Sequence, residues 1–309
     1  MTSVVRTEQL TKDFLAGFWR PRPRRALDAV SFDIPRGDVF GLLGPNGAGK
    51  TTTLKLLMDL LRPTSGRAEI FGRRATDPDV RQRVGFVPEQ PYYYDHLTAD
   101  ELVQYFAGLS GVAASDRASR AAAALTRTGV RDDDRRRPLR QFSKGMLQRV
   151  GLAQALVHDP ELIVLDEPMS GLDPVGRRDV REIILTLRDE GRTVLFSSHI
   201  LSDAEQLCSR VAILSRGRVA AQGTLTELTA AAQRGSEVIV SNLSAESAAR
   251  VAPHVARVTL IADGRYCVEL AAGQRAETVI ADLAAAGATL VSVSPVRASL
   301  EDVFLEAIQ

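Results

Sequence analysis

Short apolar runs alternate with polar, helix-length stretches through the first 229 residues. Val39-Phe-Gly-Leu-Leu43 is apolar throughout, as a strand buried on both faces is, and a helix is predicted over 50–61 directly after it. Val84-Gly-Phe-Val87, Leu162-Ile-Val-Leu165, Thr193-Val-Leu-Phe-Ser197 and Val211-Ala-Ile-Leu214 repeat the form of a short buried strand. Strands alternating with helices predict a mostly parallel α/β sheet. Asp173-Pro174 supplies an N-cap followed by proline at the first helical position, a helix start after the third strand. A long helical interval separates the second strand from the third. Thr98-Ala-Asp-Glu101 opens it as a capping box, and Ser202-Asp-Ala-Glu205 and Thr224-Leu-Thr-Glu227 have the same form.

Residues 236–309 have a different texture, rich in alanine and valine. They read as strand 237–241, helix 244–252, strand 256–261, strand 265–270, helix 275–286 and strand 289–293. That β-α-β-β-α-β order is the ferredoxin-like pattern. A last helix is predicted over 299–308. Thr229-Ala-Ala-Ala-Gln-Arg-Gly-Ser236 reads as a helix end and linker. The expected domains are therefore 1–229, with helices at about 90–160, and a small unit at 236–309.

Composition agrees with two domains, since 309 residues exceed the roughly 150 of an average one. With 45% hydrophobic and 25% charged residues the chain can fill an ordinary core. Lysine plus arginine is 39 against 38 acidic residues, which gives no warrant for bulk nucleic-acid binding. No apolar run approaches the roughly 20 residues of a membrane span, and the first residues carry no secretory-type apolar stretch. Cys208 and Cys267 stand alone, so no disulfide framework or zinc site is predicted.

Chemistry enters at Gly44-Pro45-Asn46-Gly47-Ala48-Gly49-Lys50-Thr51, which fits G-x-x-x-x-G-K-[ST] without substitution, after an apolar strand and at a helix start. Glycines there let the backbone wrap a phosphate chain, with amides from Gly47 to Thr52 pointing at the anion. Lys50 would reach the β- and γ-phosphates, and the Thr51 hydroxyl would ligate magnesium. Asp166 and Glu167 end a buried strand, at the edge where ligands bind in such sheets. Successive strand side chains point opposite ways, so the two have separate tasks. Asp166 suits Mg2+ coordination, and Glu167 is placed to polarise an attacking water. His199 follows a further strand and could contact the γ-phosphate and hold the water.

Gln141-Phe-Ser143-Lys144-Gly145-Met-Leu-Gln-Arg149 separates this chain from other P-loop proteins. It resembles the signature motif of ATP-binding cassette (ABC) proteins, commonly Leu-Ser-Gly-Gly-Gln and here Phe-Ser-Lys-Gly-Met. Val84-Gly-Phe-Val-Pro-Glu89 falls at the Q-loop position, Leu162–Pro168 at the Walker B position, Ser170-Gly-Leu-Asp173 at the D-loop, and His199 at the switch histidine. The resemblance covers roughly residues 4–228 and implies a RecA-like core sheet with a helical subdomain. Glu89 stands where the family has glutamine, which brings a charge to the magnesium site. Phe14 falls near the family's adenine-stacking tyrosine, and the insert at 15–25 offers Phe18 and Trp19 as alternatives. Pro-Glu, Ser-Lys-Gly-Met and the tail Ser299-Leu-Glu-Asp-Val-Phe-Leu305 resemble the branch that serves multidrug and antibiotic exporters with separate membrane subunits.

The resemblance implies a head-to-tail homodimer in which ATP and Mg2+ on one P-loop are covered by Ser143, Lys144 and Gly145 of the partner. Glu167 would activate water, with Lys50 and His199 on the γ-phosphate. Closure would drive a permease on another chain, from the cytoplasmic face of the membrane. Residues 85–94 and the helices after Thr98 would form the coupling surface. Tyr92-Tyr-Tyr94 is either an exposed anchor there or packing for the subdomain. A soluble cassette acting on nucleic acid or ribosomes is the rival reading; one P-loop, no sustained heptads and no net basic charge weigh against it. A non-catalytic regulatory cassette is weighed against by the intact Lys50, Asp166, Glu167 and His199. Arg20-Pro-Arg-Pro-Arg-Arg25 and Asp132-Asp-Asp-Arg-Arg-Arg137 read as a solvated loop and a solvated face.

Overall fold

The chain begins with a long antiparallel hairpin in the computed structural model, which describes residues 3–17, 22–231, 235–271, 274–295 and 299–308. Phe18, Trp19 and Arg20 of the insert, and 232–234 of the linker, lie outside the described residues. Strands β1 (Ser3–Ala16) and β2 (Arg22–Pro35) pair from Ser3↔Pro35 to Ala16↔Arg22. The expected loop at Arg22–Arg25 is thus strand. Arg25 is tied to Asp13 across the hairpin at 2.9 Å, a pairing that local polarity could not reveal. β3 (Val39–Leu43) follows, buried along its whole length, then α1 (Lys50–Leu57). That helix stops short of 61, because Met58 leaves helical angles and Asp59 takes φ 55°.

Next come β4 (Ser65–Ile70), β5 (Arg73–Arg74), α2 (Pro78–Arg81) and β6 (Val84–Val87). The helical interval holds α3 (Ala99–Leu109), α4 (Arg117–Arg127), α5 (Asp132–Arg135) and α6 (Lys144–Leu156). Thr98 and Glu101 cap α3 reciprocally, as the sequence predicts: Glu101 N–H donates to Thr98 Oγ1 at 3.2 Å and Thr98 N–H donates to Glu101 Oε2 at 2.9 Å. Leu102, Val103, Leu125, Leu139 and Val150 form the core of this layer. The charged run at 132–137 is not all solvated. Asp134 is buried between Arg131 and Arg137, and buried Arg135 donates to the Val130 carbonyl. Of the three tyrosines, Tyr92 and Tyr94 are exposed, whereas the Tyr93 ring packs against the helical core.

β7 (Leu162–Leu165), α7 (Pro174–Asp189), β8 (Thr193–Ser198), α8 (Leu201–Leu207), β9 (Arg210–Ser215), β10 (Arg218–Thr224) and α9 (Leu225–Ala231) complete the alternating region. α8 begins before Ser202, so that serine is not its N-cap; Ser198 Oγ instead accepts from Ile200 N–H at 2.9 Å. The strands sort into two sheets. One is ordered β2-β1-β4-β5, and the other β10-β9-β3-β8-β7-β6 with every pair parallel except β10 with β9. Phe32 of the first sheet stacks on Phe40 of the second at 5.5 Å, and Leu54 and Leu57 of α1 lie in the same core. The C-terminal ends of β3, β7 and β8 carry Gly44, Asp166 and His199 to one sheet edge.

Residues 226–307, which take in most of α9, form a second compact unit, distinct from 1–225. It contains β11 (Ser236–Ser241), α10 (Ala245–Val251), β12 (Arg257–Ala262), β13 (Arg265–Glu269), α11 (Ala276–Ala285), β14 (Thr289–Pro295) and α12 (Leu300–Ile308). Its antiparallel sheet has the order β12-β13-β11-β14, the ferredoxin-like arrangement. Val238, Val240 and Val268 of the sheet pack with Ala248, Val279 and Leu283 of the helices. No helix of the described residues is long and apolar enough to cross a membrane.

Phe196, fully buried in β8, is flanked by the two strands that carry the loop and the acids. Phe196→Ala is expected to destabilise the first unit by about 3–5 kcal/mol in denaturant titrations followed by circular dichroism. A loss within experimental error would show that β8 is not the packed centre of this sheet.

Candidate functional site

The loop from Gly44 to Lys50 leaves the end of β3 and turns into α1. A Cβ on Gly44 would lie 2.4 Å from the Leu214 carbonyl oxygen, so only glycine passes there. Gly49 caps α1 at φ 111° with no side chain on the first-turn amides. Those amides have no intrahelical partner, and with the positive end of the helix they make an anion site. Lys50 is folded back over the loop: Nζ donates to the Gly44 carbonyl at 2.7 Å and lies 3.1 Å from Glu167 Oε1.

Two acids follow β7 with separate partners. Asp166 Oδ1 accepts from Ser197 Oγ at 2.6 Å and from Thr51 Oγ1 at 3.2 Å. Ser197 Oγ also accepts from the Glu167 backbone N–H at 2.9 Å, so one hydroxyl fixes both acidic residues. Glu167 takes φ 49°, rare for a residue with a Cβ and frequent where function demands strain. Its carboxylate meets Lys50 on one oxygen and His199 Nδ1, at 2.8 Å, on the other. Asp166 and Glu167 are 2% and 9% exposed, so these partners supply what water would.

A cleft of ≈ 830 Å³ opens over the loop. Residues 45–52, Glu89, Glu167, Ser170 and His199 line one part, and Phe14, Arg24, Arg25 and Ala26 of the hairpin line another. Gly44 lies at its root and Asp166 beneath Thr51. Phe14 is partly exposed, with Lys12 Nζ 5.2 Å from its ring centroid. Ser143, Lys144 and Gly145 line none of it. Ser143 caps α6, accepting from Met146 N–H at 3.3 Å, and is exposed with Lys144, whose side chain runs beside Gly171. Sequence reasoning does not single out Ser197 or Arg24 as site residues; only the polar end of an otherwise apolar strand hints at Ser197.

The candidate ligands at Thr51 are all oxygen: its hydroxyl, Asp166 and Glu89, which lines the same cleft. No cluster of three histidine, cysteine or acidic side chains that could cage a metal occurs among the described residues. One carboxylate and a hydroxyl fit a hard cation such as Mg2+, which keeps waters and phosphate oxygens as its other ligands.

Behind His199, on α8, Asp203 is 2% exposed and its Oδ2 has no hydrogen-bond partner. Burial raises its pKa; Arg177 and Arg181 oppose that rise, and the charge of Glu167 adds to it.

A phosphate-wrapping loop at the C-terminal edge of a parallel sheet, with two acids and a histidine converging on it, defines a P-loop nucleoside-triphosphate-binding protein. Residues 27–170 match the family model described as ABC transporter. An uncharacterised ABC transporter ATP-binding protein of Synechocystis sp. is 41% identical over 308 residues, 99% of this chain and 85% of that protein. The fluoroquinolones export ATP-binding protein of Mycobacterium tuberculosis is 40% identical over 75% of both chains. Among solved structures, the ADP- and phosphate-bound dimer of the ATP-binding cassette MJ0796 superposes with a TM-score of 0.66 at 27% identity, covering 72% of this chain and 98% of that one. The chain belongs to the ABC transporter ATP-binding proteins, and is an ATP-binding, ATP-hydrolysing cassette.

A raised pKa means that the folded state holds the Asp203 proton more tightly than the unfolded chain does, so this carboxyl lowers stability as pH rises through its titration. Asp203→Asn is therefore expected to melt above the wild type at about pH 8, with the gap closing as the pH falls to about 4, the ordinary aspartate range. An equal shift at both values would contradict the assignment.

Proposed function

We propose that this chain powers an exporter as a head-to-tail pair of copies, held at the cytosolic face of the membrane by a permease on a separate chain. The observation that carries the reading is the division of its parts. The loop, both acids and His199 share one cleft, while the Ser143 helix terminus stands exposed outside it. A second copy supplying Ser143, Lys144 and Gly145 would close the cleft. The domain division at 1–229 and 236–309 belongs to the same reading, and the export direction follows the exporter relative.

In the mechanism that fits, amides of residues 46–52 hold the phosphates and Lys50 leaves Glu167 for the β/γ oxygens. Phe14 stacks on the base. Thr51 and Asp166, with Glu89 opposite, would hold Mg2+, which supplies charge neutralisation to the phosphates. Freed of Lys50, Glu167 takes a proton from the attacking water as a new oxygen–phosphorus bond forms at the γ-phosphate. The bond to the bridging β–γ oxygen breaks, and ADP and phosphate leave. His199, already on Glu167, orients that carboxylate and the γ-phosphate.

Glu167→Gln is expected to lower phosphate release by about 10²–10⁴-fold with nucleotide binding retained. Unchanged turnover would remove Glu167 from its role. Co-expressed with its membrane-spanning partner, the protein is expected to fractionate with membranes. Recovery in the supernatant both with and without that partner would count against a transporter subunit.

A further inference from the structure

We propose that the free end of the β1–β2 hairpin is a membrane contact that binds anionic lipid, a foothold separate from the permease. The proposal extends the peripheral placement proposed above, and lipid alone tests it.

β1 pairs with β4 only as far as Thr11↔Ser65, and just beyond, the Asp13 N–H donates to Thr64 Oγ1 at 2.9 Å. Past Asp13 the hairpin is a ribbon of two strands, paired Phe14↔Arg24, Leu15↔Pro23 and Ala16↔Arg22. A two-stranded ribbon is marginal by itself in water, and this one ends in exposed apolar side chains. Leu15 is 77% exposed, and Pro23 opposite it is exposed as well. Cross-strand partners share a face, so Leu15 and Pro23 make one face of the ribbon's end and Arg22 and Arg24 lie on the other.

The unpaired charge of this end has one sign. Arg25, at its base, is committed, with Nε on Asp13 at 2.9 Å and Nη1 on Asp28 at 3.0 Å. Arg22 and Arg24 are exposed and have no hydrogen-bond or ion-pair partner among the described residues. From Phe14 to Arg24 the sequence holds three arginines and no acidic residue.

Two apolar side chains and two guanidinium groups fall far short of the roughly 20–30 residues that each partner gives to a stable protein interface. A lipid headgroup layer asks for less. An apolar anchor at the acyl boundary and cations among the phosphates suffice, each basic side chain adding about fivefold to partition on an anionic surface. Met end-on, the ribbon supplies both: Leu15 and Pro23 reach the acyl boundary, while the long side chain of Arg22 stays among headgroup phosphates. Arg24, one pair further in, adds its charge. Nucleic acid would use the guanidinium groups but leave the apolar face in water.

The test is flotation of the full chain, without nucleotide, with vesicles of phosphatidylcholine alone or with about 30% phosphatidylglycerol added. Binding is expected to the anionic vesicles only, falling at least about tenfold between about 50 and 500 mM salt. Trp19, the chain's one tryptophan, lies in sequence between Leu15 and Arg22, and its emission should shift to the blue on binding. Arg22→Glu is expected to weaken partition by about thirtyfold and Leu15→Ser by about tenfold. Neither residue lines the nucleotide cleft, so both variants should hydrolyse ATP as the wild type does. No flotation, equal flotation with both vesicles, or either variant floating like the wild type overturns the proposal. Tighter binding to duplex DNA than to the anionic vesicles, with the same loss in Arg22→Glu, makes the end a nucleic-acid contact and overturns it as well. A chain that co-fractionates with its permease but ignores anionic vesicles refutes this proposal and leaves the transporter reading standing.

Discussion

Glu167 is a buried carboxylate whose charge is met from two sides, by Lys50 at 3.1 Å and by His199 at 2.8 Å. A charge so placed costs several kcal/mol unless it is paired, so it dictates where its partners lie. Lys50 must leave the first turn of α1 and cross the loop; His199 must stand at the end of β8, next to the strand that carries the acid. Three strands of the parallel sheet are thereby held in register by chemistry at one edge as well as by packing in the middle. Ser197 completes the constraint, because its hydroxyl bonds the Asp166 carboxylate and the Glu167 amide together.

In the proposed mechanism, this pairing is the one that nucleotide would exchange. Lys50 pairs with the acid proposed as base, and its ammonium also donates to the loop carbonyls of Gly44 and Pro45. Polyphosphate is a stronger attractor for that ammonium than one carboxylate, so binding and activation become a single exchange of partners. On the same proposal, the second half of the site would come from another copy. The Ser143 helix terminus, capped and exposed, presents its amides to solvent and not to the cleft of its own chain. On the proposed reading, ATP would join two copies, because each copy would hold half of what surrounds the phosphates.

Much of this was legible because the chemistry is contiguous. The loop, the two acids and the capped starts at Thr98 and Asp173 each sit within a few residues, where local geometry decides the outcome. The ferredoxin-like unit was legible from alternation alone. What escaped depends on partners distant in sequence. Arg22–Arg25 has the polarity of a loop, yet it becomes strand because β1 lies alongside and Asp13 takes Arg25. Asp134 and Arg135 read as surface and are buried, since Arg131, Arg137 and the Val130 carbonyl satisfy them. The end of α1 depended on Asp59 adopting a left-handed conformation, which periodicity does not signal. For the site, the motifs and the resemblance single out the loop, the acids and a Ser143–Gly145 segment that serves a partner's loop, but not that Arg24 lines the cleft.

The central claim is that one copy's phosphate loop faces the other copy's Ser143. Two variants, one carrying Asn46→Cys and the other Ser143→Cys, both at exposed positions, can be mixed and treated with a short bis-maleimide. Native Cys208 and Cys267 are buried and serve as the background control with the unmodified chain. The account predicts a cross-linked heterodimer that forms with ATP in a hydrolysis-deficient background and is absent without nucleotide or when either variant is alone. Cross-linking that ignores ATP, or none in the mixture, would contradict it.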